Sequence, residues 1–90
     1  MVTMTRLEKK ARIEILEIGE GGKEFRFTEL RNECGCQSAG PEYTELYSLV
    51  NHLLYINALK FGPSTHKGHR FFQIVDPKLL EVPFDAVITE

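Results

Sequence analysis

The sequence lacks several features that would place it in other classes of protein. It contains no tryptophan, and none of its apolar runs approaches the roughly 20 residues that a membrane-spanning helix requires. Its opening residues, MVTMTRLEKK, lack the apolar core of a secretory signal peptide. Two cysteines among 90 residues do not make a disulfide framework, which agrees with a reducing compartment. We therefore expect a cytoplasmic protein with no membrane partner.

Groups that would support enzyme chemistry or metal binding are also scarce. Cys34 and Cys36, together with His52, His66 and His69, contain enough soft ligands for zinc, but the Cys-x-Cys spacing is not that of structural sites. Neither cysteine has a neighbouring base in the sequence that would activate it as a nucleophile. The sequence also has no Gly-rich phosphate loop and no Ser/His/Asp arrangement. We therefore expect no enzyme activity, no metal site and no cofactor.

Acidic residues are missing from one stretch of an otherwise acidic chain. The formal net charge of -2 argues against a general polyanion binder, because non-specific nucleic-acid affinity comes from cations that displace counterions. Residues 46–75 contain no Asp or Glu but hold Lys60, Lys67, Arg70 and all three histidines. This stretch is therefore a local cationic region on an anionic molecule.

The chain begins with a predicted helix. Thr5 and Glu8 have the spacing of a capping box, in which each side chain accepts a hydrogen bond at the helix start. The apolar stripe that follows consists of Leu7, Ala11, Ile15 and Ile18. These features predict a helix from about Arg6 to Ile18, which the following glycines end. Alternating apolar residues between Ile13 and Phe27 also fit a β-hairpin, but Leu16 breaks the alternation, so we favour the helix.

Two shorter elements precede the longest predicted helix. Glu24 to Phe27 alternates and predicts a short edge strand, after which Thr28 is the expected N-cap of a second helix from Glu29 to about Glu33. Cys34 to Gly40 is a predicted loop, and Pro41 is tolerated at the first position of a third helix. The apolar face of this third helix contains Tyr43, Leu46, Tyr47, Val50, Leu53, Leu54 and, at its end, Asn57.

The remainder of the chain predicts a strand pair and a C-terminal extension. Ala58 to Phe61 and His69 to Val75 are expected to form antiparallel strands, joined by a loop from Gly62 to Gly68. Asp76 is expected to cap a short turn that runs through Leu80. Residues 82–88 are too apolar for an unattached tail. We therefore expect residues 76–90 to pack on the core or on a partner.

This order of elements resembles the winged helix-turn-helix family from about Arg6 to Val75. The residues that carry the resemblance are Phe27 to Leu30, the helix Tyr43 to Asn57, and the strands Leu59 to Phe61 and Gly68 to Ile74. The resemblance implies an α+β, mainly helical fold with three helices and a small antiparallel β-wing. Residues 1–90 would then form one winged-helix domain that includes the C-terminal extension.

The resemblance also implies a function. In family members that bind DNA, the third helix enters the major groove and the wing contacts the backbone or the minor groove. This chain would then be a small transcriptional regulator that binds double-stranded DNA, as a homodimer because single sites of this kind bind weakly. The matching residues of the helix are Thr44, Ser48, Asn51, His52 and Tyr55. Those of the wing are Thr65, His66, Lys67, His69 and Arg70.

The sequence supports a second hypothesis, in which the domain binds a protein as an adaptor or an inhibitor. The exposed face of the third helix has no Arg or Lys for guanine or phosphate, and Glu42 and Glu45 lie at its start. A partner would then contact these two carboxylates together with Phe84 and Val87 of the apolar C-terminal segment. Binding to DNA and binding to a protein therefore both stay open.

Overall fold

A computed structural model of the chain describes residues 3–89, which contain three α-helices and two small sheets. In chain order the elements are β1 (Thr3–Thr5), α1 (Arg6–Ile18), α2 (Phe27–Glu33), α3 (Pro41–Tyr55), β2 (Leu59–His66), β3 (His69–Ile74) and β4 (Val87–Thr89), with short 3₁₀ turns at Glu20–Gly22 and Pro77–Leu79. The predicted α+β class, with three helices and a small antiparallel hairpin, is confirmed. Within the described range, no helix has the length and apolar character needed to cross a membrane.

Helix α1 has the predicted bounds because its local signals agree. The Thr5 hydroxyl accepts a hydrogen bond from the Glu8 N–H at 3.1 Å, which satisfies one of the donors that every helix start leaves unpaired. The Glu8 carboxylate does not complete the predicted capping box, since it accepts instead from Arg12 Nε at 3.0 Å. Ala11 and Ile15 are buried on the inner face. The alternative β-hairpin across Ile13 to Phe27 is wrong.

Helix α2 begins earlier than predicted, and Thr28 is not its N-cap. The N-cap is Arg26, whose N–H donates to the Glu29 carboxylate at 3.4 Å, so Thr28 lies exposed in the first turn. The predicted edge strand from Glu24 to Phe27 is reduced to one residue. Phe25 forms an antiparallel bridge with Phe72 of β3, through N–H to carbonyl distances of 2.9 and 2.7 Å. This bridge fastens the segment before α2 to the hairpin.

Helix α3 is the main support of the core. Its inner face buries Leu46, Val50 and Leu53, as the apolar periodicity predicts. The helix ends at Tyr55, before the predicted end at Asn57, which has a left-handed φ of 63°. A left-handed residue stops the helix and turns the chain into β2.

The hairpin of β2 and β3 is longer than predicted, because residues 62–66 continue the strand and do not form a loop. The register pairs Leu59 with Ile74 and His66 with His69, and it shifts between Phe61 and Thr65 at a bulge. The turn is therefore only Lys67 and Gly68, with φ values of 51° and 81°. Positive φ at both central residues is the two-residue turn that suits the twist of paired strands.

The C-terminal segment returns to the start of the chain. The Asp76 carboxylate accepts from the Lys78 N–H at 3.1 Å and caps the predicted short turn. Leu80 is fully buried, and β4 then pairs in parallel with β1, with Thr3 opposite Val87. The sequence did not predict this second sheet.

One cluster of buried side chains holds the helices against the hairpin. Its members are Ala11, Ile15, Phe25, Leu30, Cys34, Cys36, Leu46, Val50, Leu53, Ala58, Leu59, Phe72 and Leu80. Burying a large apolar side chain stabilises a fold by about 1.5–3 kcal/mol. The cluster therefore fixes how α2, α3 and the hairpin lie relative to one another, and these elements form the site described next.

Candidate functional site

A surface groove lies where the start of α2, the first half of α3 and the hairpin meet. Its volume is about 450 Å³, within the roughly 300–1,000 Å³ of ligand pockets. The residues that line it are Arg26, Phe27, Thr28, Tyr43, Tyr47, Phe61, Gly68, His69, Arg70 and Phe72. We call this feature the groove. It combines aromatic rings with cationic side chains.

Aromatic rings form one wall of the groove. Phe27 meets Tyr43 and Tyr47 edge-on, at centroid distances of 5.5 and 5.7 Å, and the two tyrosine rings lie parallel at 6.4 Å. Such offset and edge-to-face pairs are favoured by the ring quadrupoles. The Tyr47 side chain stays 53% exposed. A rigid, half-exposed aromatic surface therefore faces the open groove.

The opposite wall carries the arginine of β3. The Arg70 guanidinium lies over the Phe61 ring at 4.2 Å from its centroid, and Phe61 stacks in turn on the buried Phe72 at 5.5 Å. Stacking on an aromatic face is a favourable position for a guanidinium, and it leaves the N–H edge free to donate. Arg70 is thus positioned as a donor for an anion beside an aromatic ring.

A second arginine enters the groove from the N-terminus of α2. Arg26 lies over the Phe71 ring at 5.8 Å, and its Nε is 3.8 Å from the Glu29 carboxylate. Both partners of this ion pair are partly exposed, so the pair itself adds little stability. The guanidinium is thus held by Glu29 and Phe71, neither of which lines the groove.

The hairpin is positioned by hydrogen bonds to the segment between α1 and α2. Glu24 accepts from the Ser64 N–H at 3.0 Å and from the Ser64 hydroxyl at 2.9 Å, at the bulge of β2. The Gln73 amide donates to the Gly22 carbonyl at 2.8 Å. The two contacts attach both strands of the hairpin to the segment between α1 and α2.

The wing residues predicted for DNA contact are all exposed on the hairpin: Thr65, His66, Lys67, His69 and Arg70. His66 and His69 are direct partners across the turn, and Thr65 is opposite Arg70. Only His69 and Arg70 of these five residues line the groove. The hairpin tip thus continues the cationic character of the groove outward.

The helix residues predicted for DNA contact, Thr44, Ser48, Asn51, His52 and Tyr55, are also all exposed. They do not share one environment. Ser48 and His52 line a smaller cavity of about 270 Å³ between α3 and α1, together with Glu8 and Glu45. The structure therefore divides the predicted helix face into an outer part and a part beside the carboxylates of α1 and α3.

The residues predicted for protein contact lie on two features. Glu42 and Glu45 are exposed in the first turns of α3, and Glu45 accepts a hydrogen bond from the Thr5 hydroxyl of β1. Phe84 is fully exposed, and Val87 is 41% exposed on β4. Since β1 pairs with β4, Glu45 lies close to the sheet that contains Val87.

Cys34 and Cys36 lie in the core between α2 and α3. Burial raises the pKa of the Cys34 thiol to about 11, and it also raises the pKa of the Cys36 thiol. Among residues 3–89 no three His, Cys, Asp or Glu side chains form a group that could hold a metal ion. Both thiols are packed in the core cluster.

Sequence analysis missed most residues that line the groove. Tyr43 and Tyr47 were assigned to the apolar face of the third helix, and Phe61 to a strand. Arg26 was given no role. The only sequence signal was the position of Tyr47 at the margin of the stripe, from which a large aromatic side chain reaches past the core.

Comparison of this chain with family models, with curated proteins and with solved structures gives no match.

Proposed function

We propose that this domain is a DNA-binding regulator of winged-helix type, in which α3 and the hairpin contact double-stranded DNA. The proposal is supported by the order of elements and by the bridge between Phe25 and Phe72, which adds a third chain segment to the hairpin. It is also supported by the length of the hairpin, whose tip extends beyond the buried core.

The observation that carries the proposal is the convergence of cationic side chains on one face. Arg26, which precedes α2, and Arg70 of β3 line the groove together with His69, and Lys67 lies at the hairpin tip. Contacts from such groups to phosphates position a protein on a duplex, whereas base contacts specify the sequence. Asn51, exposed on α3, is the side chain best suited to read a base, through a bidentate contact with adenine.

The test is DNA affinity as a function of salt concentration. We expect Lys67→Gln and Arg70→Gln each to weaken binding of a fluorescent duplex and to reduce the salt slope by about 0.9 per lost phosphate contact. The matched control is Lys78→Gln, since Lys78 is an exposed cation of the 3₁₀ turn after β3 and outside the groove. Unchanged slopes in both hairpin variants, or no binding at low salt, would reject the proposal.

Because the number of cations on this face is small, we propose that the regulator acts as a homodimer. Two copies on neighbouring half-sites double the number of phosphate contacts, while each copy makes the same contacts as a monomer would. Light scattering of the free protein and of its DNA complex measures the stoichiometry. One copy per duplex at saturation would contradict the dimer.

A second candidate function, binding to a protein partner, is favoured by the exposure of Phe84. A fully exposed phenylalanine beside the half-exposed Val87 is apolar surface of the kind that partners cover. The test is a pull-down with the natural chain, with Phe84→Ser, and with a Glu42→Gln/Glu45→Gln variant. Identical captured proteins in all three samples would count against this function.

A further inference from the structure

The groove has exposed aromatic surface that an intact duplex, with its bases stacked on one another, would leave uncontacted. Tyr47 lines the groove and is 53% exposed, whereas the Phe61 ring is already stacked with Arg70 and Phe72. Paired bases in a duplex are stacked on one another, so a protein in the grooves reaches their edges and not their faces. Aromatic side chains that offer ring faces are instead the means by which proteins hold unpaired bases.

The cations of the groove lie beside these rings. Arg70 is stacked on Phe61, and Arg26, which also lines the groove, lies over Phe71 and is paired with Glu29. An unpaired nucleotide carries a flat base and a phosphate on the same small unit, so it satisfies a ring and a guanidinium together. The groove volume of about 450 Å³ is in the range of sites that enclose a small molecule.

A proline-rich peptide is the other ligand that commonly docks on aromatic grooves. Such a peptide has no anion for Arg70, whose guanidinium would stay without an ionic partner, whereas Arg26 is already paired with Glu29. The charge of the groove therefore favours a nucleotide over a proline-rich segment.

We propose that the groove between α2, α3 and the hairpin holds an unpaired nucleotide, so that this face prefers nucleic acid with a single-stranded segment next to a duplex. The base stacks on Tyr47, and its phosphate accepts hydrogen bonds from Arg70. This inference rests on the proposed function, which places nucleic acid on this face. It adds that part of the bound nucleic acid is single-stranded.

The experiment compares labelled probes by fluorescence anisotropy at one salt concentration. The probes are a blunt duplex, the same duplex with a six-nucleotide 3′ or 5′ extension, the single strand alone, and a labelled proline-rich peptide. We expect the natural chain to bind at least one extended duplex about tenfold more tightly than the blunt duplex. This factor lies within the range expected for stacking one base on an aromatic ring.

Two substitutions at Tyr47 separate stacking from folding. Tyr47→Leu keeps an apolar side chain but removes the ring, and we expect it to lose the preference for the extended duplex, measured as the ratio of the affinities for the extended and blunt duplexes. Tyr47→Phe keeps the ring and is expected to keep the preference. Circular dichroism and thermal unfolding of both variants show whether they fold like the natural chain.

The outcomes distinguish this inference from the proposed function. Equal affinity for blunt and extended duplexes, or equal behaviour of the two Tyr47 variants, overturns the inference and leaves duplex binding intact. Binding to single strands without binding to the blunt duplex supports the inference and rejects the duplex proposal. Preferential binding of the proline-rich peptide, or no binding to any probe, overturns both.

Discussion

The Cys34 thiol is kept protonated by its position in the core. The pKa of Cys34 is raised from 9.0 to about 11. The largest cause is desolvation by burial, and the next is the neighbouring Cys36. Because the thiolate is the nucleophile and the metal ligand, the raised pKa lowers the reactivity of this side chain. It fills space as a small apolar residue does.

The raised pKa makes part of the folding free energy depend on pH. The unfolded thiol ionises near 9.0 and the folded thiol near 11, so its contribution is complete below 9.0 and is lost as the pH rises through 11. We expect the urea midpoint of the natural chain to fall more steeply over this window than that of Cys34→Ala. All other titratable groups are present in both proteins, so equal slopes would show that burial does not perturb the Cys34 thiol.

At the scale of one element, the shape of the hairpin depends on a contact from outside it. The bulge in β2 frees the Ser64 N–H from the strand ladder, and the Glu24 carboxylate accepts that hydrogen. Gly62 leaves room for this carboxylate, since a Cβ there would lie 2.9 Å from Glu24 Cδ. Gly62 and Glu24, from different segments, are therefore both required for the hydrogen bonds to Ser64.

We expect Glu24→Ala and Gly62→Ala each to lower the free energy of unfolding, by about 1 kcal/mol, because each disrupts the same pair of hydrogen bonds. For the same reason the double variant should lose less than the sum of the single losses. Thermal unfolding measures the stabilities, and hydrogen exchange of the Ser64 amide shows where protection is lost. Full additivity would mean that Gly62 acts by another route than the carboxylate.

At the scale of the whole molecule, the C-terminal segment belongs to the same core as the helices. Leu80 is fully buried in the main cluster, and Arg12 of α1 donates to the Leu79 carbonyl at 2.7 Å. The pairing of β4 with β1 adds a second attachment beyond these residues. We therefore expect the segment after the hairpin to unfold cooperatively with the rest of the domain.

Two substitutions in this segment test that statement. Leu80→Ala removes a fully buried side chain, and we expect it to lower the free energy of unfolding by about 2–5 kcal/mol in a single transition. Phe84→Ala removes a fully exposed one and should change it by less than about 0.5 kcal/mol. Urea unfolding followed by circular dichroism gives both values. Similar small losses in the two variants would place the segment outside the cooperative unit.

Elements with strong local signals could be predicted from the sequence. The Thr5 N-cap and the apolar stripe that ends at Ile18 are local signals, and they were enough to predict α1. The apolar periodicity of α3 was likewise enough to predict its buried face. The hairpin was predicted too short, because Gly62 and Pro63 are typical of loops. Here they lie in a bulge that a distant glutamate stabilises, and no local pattern contains that information.

Long-range features were the ones that could not be predicted. β1 and β4 have three residues each, too few for a periodic pattern, and each is specified by the other. For the groove, periodicity assigned Tyr47 to the helix face but gave no measure of how far its ring extends beyond the core. The predicted wing residues depended only on charge and turn chemistry, and the structure accordingly finds them exposed on the hairpin.

The parallel pairing of β1 with β4 brings the two ends of the described chain together. Thr3 is opposite Val87 and Thr5 is opposite Thr89. Thr89 and Thr3 are thus separated by one strand spacing across the sheet and by two residues of rise along it, which gives a distance of roughly 8 Å. A linker of about three extended residues spans that distance. The topology is therefore open to circular permutation, with new termini at Lys67 and Gly68 placing both chain ends at the hairpin tip.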